Sequence, residues 1–208
     1  MKFIIFNQIP LYIAVENENI EIIKLLLEND QIDVNIISVF ETISTRINFH
    51  GGDSYSNPVV RDRSKVTVLM KACQQSNIEI VKLLLSIKSL KINDYSTYLN
   101  IHGNDDDEDD DYDTEMYDES YYRKEISKTA LVEAVGNEKL EIVKLLLSND
   151  GIDISLPFTF CKENSQNSQN VTATPLKMAL KIGNKDLIDL FTNKWLINKI
   201  IFFFFFFF

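Results

Sequence analysis

Histidine and cysteine each occur only twice in this 208-residue chain, and glycine six times; each scarcity rules something out. His50 and His102 stand far apart, and no Cys/His cluster has the spacing of a zinc site. Cys73 and Cys161 have no close pairing in sequence, so no disulfide framework is implied, which favours a reducing compartment. There is no glycine-rich phosphate loop and no Gly-x-Ser-x-Gly elbow, so His50-Gly51-Gly52-Asp53 reads as a turn and not as an oxyanion loop. The C-terminal apolar run, Ile200–Phe208, has nine residues, where a membrane-spanning helix needs about 20. At the other end, Asn7-Gln8 interrupts the apolar stretch of Met1–Phe6 before a signal-peptide core is complete, so secretion is not expected. The sequon Asn170-Val171-Thr172 then reads as a chance match.

Basic stripes are also missing. The net charge is −10, but Asp105–Glu119 alone holds eleven acidic residues and no basic one, so the remainder of the chain stands at +1. A nearly neutral body has no basic surface to meet phosphates, which argues against nucleic acid as a partner. The acidic segment, with Tyr112, Tyr117, Tyr121 and Tyr122 in or beside it, reads as a solvated, self-repelling loop, disordered and dispensable for folding. It lacks the glycine of a calcium-binding EF-hand loop. A tether for a basic partner or a weak divalent-cation site is the sharper alternative. Carboxylates in such a loop do not hold acid–base geometry. No catalytic residue, cofactor-binding residue or metal ligand is therefore assigned, and no enzyme or small-molecule substrate is expected.

What is present is repetition. Glu-Ile-Ile/Val-Lys-Leu-Leu-Leu occurs at Glu21–Leu27, Glu79–Leu85 and Glu141–Leu147, each preceded at a fixed distance by an alanine, Ala14, Ala72 or Ala134. A weaker fourth copy runs Thr174-Pro175-Leu176-Lys177-Met178-Ala179, then Gly183-Asn184-Lys185-Asp186-Leu187-Ile188-Asp189-Leu190-Phe191. One structural unit used several times supplies extended surface, not a single reaction centre. Each copy reads as two short helices. Thr67, Thr129 and Thr174 stand where a hydroxyl caps the first helix, and Pro10 and Pro175 occupy a first helical position, where a missing N–H does no harm. In the third copy Leu140, Val143, Leu146 and Leu147 share one face, with Ile142 and Leu145 beside it. So wide a stripe suits a helix packed between two neighbours, and stacking of units buries it. Cys73, next to Ala72, reads as a small buried hydrophobe, while Cys161 reads as a free thiol in a loop.

These residues resemble the ankyrin repeat, in a divergent, long-insert form like that of AT-rich protist genomes. The resemblance rests on Thr-Pro-Leu-x-x-Ala followed by Gly-Asn-x-Asp-Leu-Ile in the fourth copy, and on Asn-x-Glu-Ile-Val-Lys-Leu-Leu-Leu in the second. Ile32-Asp33-Val34-Asn35 and Ile152-Asp153-Ile154-Ser155 look like the family's closing turn before a finger-like hairpin. It implies an L-shaped stack of helix pairs with protruding fingers, used to bind other proteins. The family's histidine is replaced by Tyr12, Met70, Val132 and Lys177. Its glycine at the end of the first helix is replaced by Glu18, Ser76 and Glu138, each at a cost of roughly 1–2 kcal/mol if held left-handed.

The expected fold class is all-α: an ankyrin-like solenoid of about four stacked helix pairs within residues 1–195. Repeats are placed near 9–35, 67–93, 128–155 and 173–193, and insertions near 36–66, 94–127 and 156–172, on the finger side where added length disturbs the core least. The first insertion carries the partly alternating Phe40–Phe49, which extends the finger as a hairpin. The third carries the polar tract Asn164–Asn170, read as disordered. Residues 196–208 form a hydrophobic poly-Phe tail, read as translation past the natural end of a repeat gene. The alternatives are a last helix over Trp195–Ile201 capping the stack, or a sticky tail for a membrane or partner.

The expected function is a non-enzymatic protein–protein interaction module, a scaffold or adaptor in the cytoplasm, with the nucleus not excluded. A membrane-associated role through the tail, or a fragment of a longer repeat protein, are the other readings. The binding surface is expected on the exposed positions of the first helices. These are the position before each alanine and the second and third after it: Ile13, Glu16 and Asn17; Lys71, Gln74 and Gln75; Glu133, Gly136 and Asn137; Met178, Lys181 and Ile182. Their mixed chemistry suits an unidentified protein partner better than a phosphate or a metal.

Overall fold

The computed structural model describes residues 2–7, 10–50, 53–102, 122–164 and 167–207. The chain opens with β1 (Lys2–Asn7), α1 (Pro10–Glu16) and α2 (Ile20–Leu27), then the hairpin β2 (Ile37–His50) and β3 (Asp53–Thr67). The helices α3 (Val68–Gln75) and α4 (Ile78–Leu85) are followed by β4 (Tyr95–His102) and β5 (Tyr122–Thr129). Next come α5 (Ala130–Gly136), α6 (Leu140–Ser148), β6 (Phe158–Asn164), β7 (Asn167–Ala173), α7 (Pro175–Ile182) and α8 (Lys185–Phe207).

The helices form four pairs, and their ends follow from local chemistry. The hydroxyls of Thr67, Thr129 and Thr174 accept from the backbone N–H of Met70, Val132 and Lys177 at 3.1, 3.4 and 3.4 Å, satisfying a donor that a helix leaves orphaned. The second helices start on asparagine: Asn19, Asn77 and Asn184 accept from Ile22, Ile80 and Leu187 at 3.1, 3.2 and 3.3 Å. Lys139 holds that place before α6 and makes no side-chain cap. Between the helices of each pair the chain turns through a left-handed residue. Glycine takes that conformation without a steric penalty at Gly183 (φ 79°), but Glu18, Ser76 and Glu138 adopt it at φ 51°, 63° and 52°.

Stacking buries one continuous core. Ala14, Ala72, Ala134 and Ala179 lie inside it, as do Ile23, Val81, Val143, Leu146 and Phe191. The wide stripe on α6 is as its spacing requires: Ile142, Val143, Leu146 and Leu147 are buried, and Leu140 and Leu145 are half-buried. Cys73 is fully buried, and burial drives its thiol pKa far up, so it stays a neutral hydrophobe.

The fold is not all-α. Among the described residues, seven strands form one antiparallel sheet in chain order, β1-β2-β3-β4-β5-β6-β7. The helical periodicity of the repeats is real, but the insertions between them do not stay irregular. Long connecting segments must satisfy their backbone N–H and C=O groups, and pairing with the neighbouring finger does so. Phe40–Phe49 lies in β2 and pairs with β3 from Ile37↔Thr67 to His50↔Asp53, with one irregularity at Thr42/Ile43. The polar tract is corrected in the same way: Asn167–Asn170 begins β7 and pairs back onto β6, Asn164↔Asn167 to Cys161↔Asn170. Cys161 is therefore in a strand and not in a loop. The acidic segment Asp105–Glu119 lies outside the described residues.

The turns after the second helices are joined by a polar ladder. The Asn35 side chain donates to Ser89 O (2.8 Å) and accepts from Lys91 N (2.7 Å). One unit on, Asn93 donates to Gly151 O (2.8 Å) and accepts from Asp153 N (3.0 Å). Residues 195–207 continue α8 without a break, and among the described residues no helix is long and apolar enough to cross a membrane.

Candidate functional site

Between the first helices and the bases of the fingers lies a groove of about 390 Å³. Tyr12 and Glu16 come from α1, Gln74 from α3, Phe40 from β2, Ser64 and Val66 from β3, and Tyr98 from β4. Phe40 and Tyr98 stand at the same offset after Asn35 and Asn93, so the repeat itself sets an aromatic side chain at this point of successive fingers. Tyr12 and Phe40 pack with ring centroids 5.1 Å apart and planes tilted by 52°, within the favourable range for aromatic pairs.

Charged groups frame this aromatic floor in matched pairs. Lys71 Nζ donates to Glu16 Oε1 at 2.8 Å and lies 5.6 Å from the centre of the Tyr12 ring. Lys128 pairs with Glu133 and lies 5.3 Å from the centre of the Tyr98 ring. Gln74 Nε2 donates to the Tyr98 hydroxyl at 2.8 Å. Burial, reinforced by the Glu133 charge and only partly offset by Gln74, pushes the Tyr98 pKa up to about 12, so the phenol is neutral at ordinary pH. The Tyr12 phenol is driven up as well, by burial and then by Glu16. The groove is thus electrically balanced, apolar at its base and fixed at its rim.

Of the twelve surface positions picked from the repeat pattern, the structure brings two together in the groove wall, Glu16 and Gln74. Lys71 sits against the rim, and Gln75 donates from Nε2 to Glu16 O at 2.6 Å, stitching α3 to α1. Ile13 on α1 and Asn17 just past its end are exposed, and the Asn17 side-chain amide donates back to Ile13 O at 3.0 Å. Gly136, Lys181 and Ile182 on the later helices, and Asn137 just after α5, are exposed and Met178 is half-buried, and none of them lines the groove. Glu133 is a correction. It is buried, paired with Lys128 and bonded by the Asn137 side chain at 3.0 Å, because β5 runs directly into α5 and brings Lys128 over it. Charge reversal there disturbs a built pair, not a solvated surface. Tyr12, Phe40, Ser64, Val66 and Tyr98 were missed, since four of the five lie on strands; the shared offset of Phe40 and Tyr98 after Asn35 and Asn93 is a signal that could have found those two. Among the described residues no group of three or more His, Cys, Asp or Glu is placed to hold a metal ion.

Helix pairs stacked over a finger sheet, tied by capped turns and an asparagine ladder, define a repeat protein of the kind that offers extended surface. Residues 53–158 match the family described as ankyrin repeats (3 copies), and residues 6–39 match the ankyrin repeat. The chain belongs to the ankyrin repeat family, and its repeats make it a protein–protein interaction module of a generally non-enzymatic kind. Both matches end before the fourth helix pair, which nonetheless keeps the Thr174 cap, Pro175 and the left-handed Gly183. No curated protein matches the chain.

Proposed function

We propose that this chain is a scaffold or adaptor whose groove between the first helices and the finger sheet receives a segment of a protein partner. The observation that carries the reading is the floor of Tyr12, Phe40 and Tyr98, held by Gln74 and framed by the Glu16–Lys71 pair. Aromatic rings held rigid beside polar donors contribute strongly to interfaces, and the internal pairing of the charges leaves no net field to attract nucleic acid. A cytoplasmic location and a role without cofactor, metal or small-molecule substrate belong to the same proposal. A photoreactive residue in place of Ser64 should crosslink a cellular protein, and Gln74→Arg should abolish the crosslink by filling the groove. Equal crosslinking from the exposed outer position Glu141 would sink the reading.

A membrane-associated role has one observation in its favour: Trp195, Leu196 and Ile197 are exposed together on α8. Co-sedimentation with lipid vesicles, lost on Trp195→Glu, is the test of that second reading.

A further inference from the structure

The register of the sheet sets a spacing inside the groove. Phe40 on β2 pairs with Ser64 on β3, and Ser64 pairs with Tyr98 on β4. The three therefore stand in one row across the strands, on one face of the sheet, and all of them line the groove. Phe40 and Tyr98 are half-buried, and the residue between them is small, so the row runs ring, gap, ring. Neighbouring strands stand about 4.8 Å apart, which separates the two aromatic positions by about 9.6 Å. Few backbone conformations repeat a face at that distance. A β-strand returns a side chain to the same face every two residues, after about 6.8 Å. An α-helix with its side chains is about 10–12 Å across, too broad for a gap one serine wide. A polyproline II helix has three residues per turn and rises about 3.1 Å per residue, so its residues i and i+3 share a face about 9.3 Å apart.

The polar groups fit the same occupant. Gln74 Nε2 donates to the Tyr98 hydroxyl at 2.8 Å, which leaves that hydroxyl its own proton to give. Burial keeps the phenol protonated, with a pKa of about 12. Among the described residues no protein acceptor takes a proton from the Tyr98 or the Tyr12 hydroxyl. The groove thus offers donors, and the carbonyls of a polyproline II segment have no internal partners. The nearby cations, Lys71 and Lys128, are already balanced by Glu16 and Glu133, so the complementary segment carries no charge where it lies. We propose that the groove, read above as the site of a protein partner, takes a Pro-x-x-Pro segment in the polyproline II conformation, a step that rests on that reading. The segment lies across β2, β3 and β4, with one proline against Phe40, the other against Tyr98, and its carbonyls towards the phenols. Aromatic-lined grooves hold proline-rich segments in this way because the extended helix is already formed before binding and loses little entropy.

The test is fluorescence anisotropy of labelled decaproline titrated with the full chain. Binding should saturate. In an alanine host peptide, two prolines set three residues apart should compete for the site more strongly than two prolines set two or four apart. Tyr98→Phe keeps the ring and removes the donor, and should weaken binding about fivefold. Gln74→Arg should abolish it, with circular dichroism showing that both variants keep the helices of the wild type. No saturation up to millimolar decaproline overturns the proposal, and so does equal competition by all three spacings. The two readings fail separately. A photoreactive residue at Ser64 that captures a cellular protein through a segment without Pro-x-x-Pro leaves the groove a partner site and overturns only its preference for proline. No capture at all, together with no decaproline binding, sinks both.

Discussion

Glu18, held left-handed between α1 and α2, accepts a 2.7 Å hydrogen bond on Oε2 from the side-chain amide of Asn77, the residue that caps α4 in the next pair. Glu138 does the same for Asn184 at 2.8 Å. Two of the three strained residues that replace glycine thus supply a link between neighbouring pairs that glycine has no atoms to make. Replacing Ser76, for which no such link is formed, by glycine should relieve strain and raise stability by about 1 kcal/mol. Glu18→Gly should come out near zero, because the relief is offset by a lost bond worth about 0.5–1.5 kcal/mol. Urea denaturation of the two variants separates these outcomes; equal gains would show that the Glu18–Asn77 bond contributes nothing.

Lys139 is the one start of a second helix with no asparagine, and α6 begins without a side-chain cap. Lys139→Asn should stabilise the protein by about 1 kcal/mol. A thermal melt suffices, and an unchanged midpoint would mean that the orphaned N–H groups of α6 are already satisfied by water.

The two ion pairs beside the groove should respond very differently. Glu133 is buried while Lys128 keeps access to water, so Glu133→Ala removes a charged hydrogen bond without stranding a fully buried cation and should cost about 2 kcal/mol. Glu16 and Lys71 are more open to solvent, and Lys71→Ala should cost about 1 kcal/mol or less. Chemical denaturation of both variants checks the ranking; a reversed order would contradict the burial of Glu133.

Alkali should unfold this protein through its tyrosines. The Tyr98 pKa of about 12 stands above its ordinary value of 10.0, so the folded state holds that proton more tightly than the unfolded chain. The stability it contributes is complete below pH 10.0 and is lost as pH rises towards 12. The melting temperature should fall across that window, and Tyr98→Phe should reduce the fall while keeping the ring. Tyrosinate absorbance that appears before unfolding would show that the phenol is not protected.

The helical half of this architecture was legible because its signals are local. A threonine cap, a small alanine and an apolar stripe at helical spacing each act within a few residues, so Thr129, Ala134 and Val143 carried their own meaning. The sheet was not legible, because strand pairing here is settled by neighbours distant in sequence. Asn167–Asn170 has no apolar alternation at all, and it becomes a strand because β6 offers it a backbone partner. The groove was half legible for the same reason. Glu16 and Gln74 followed from helical position, whereas Tyr98 enters only once β4 is laid beside β3. Glu133 was misjudged because the residue that covers it, Lys128, arrives from a strand that a purely helical reading does not contain.

The fingers differ greatly in length, with strands of 14 and 15 residues in the first against 8 and 8 in the second and 7 and 7 in the third. Yet the pitch of the array need not change. Two strands advance a sheet by about 9.6 Å, at about 4.8 Å each, and packed helices stand about 8–10 Å apart. Each unit therefore takes the same step along both rails, and extra residues in a finger add height across that direction. Evolution can lengthen one tooth of such a comb without altering the spacing of the others.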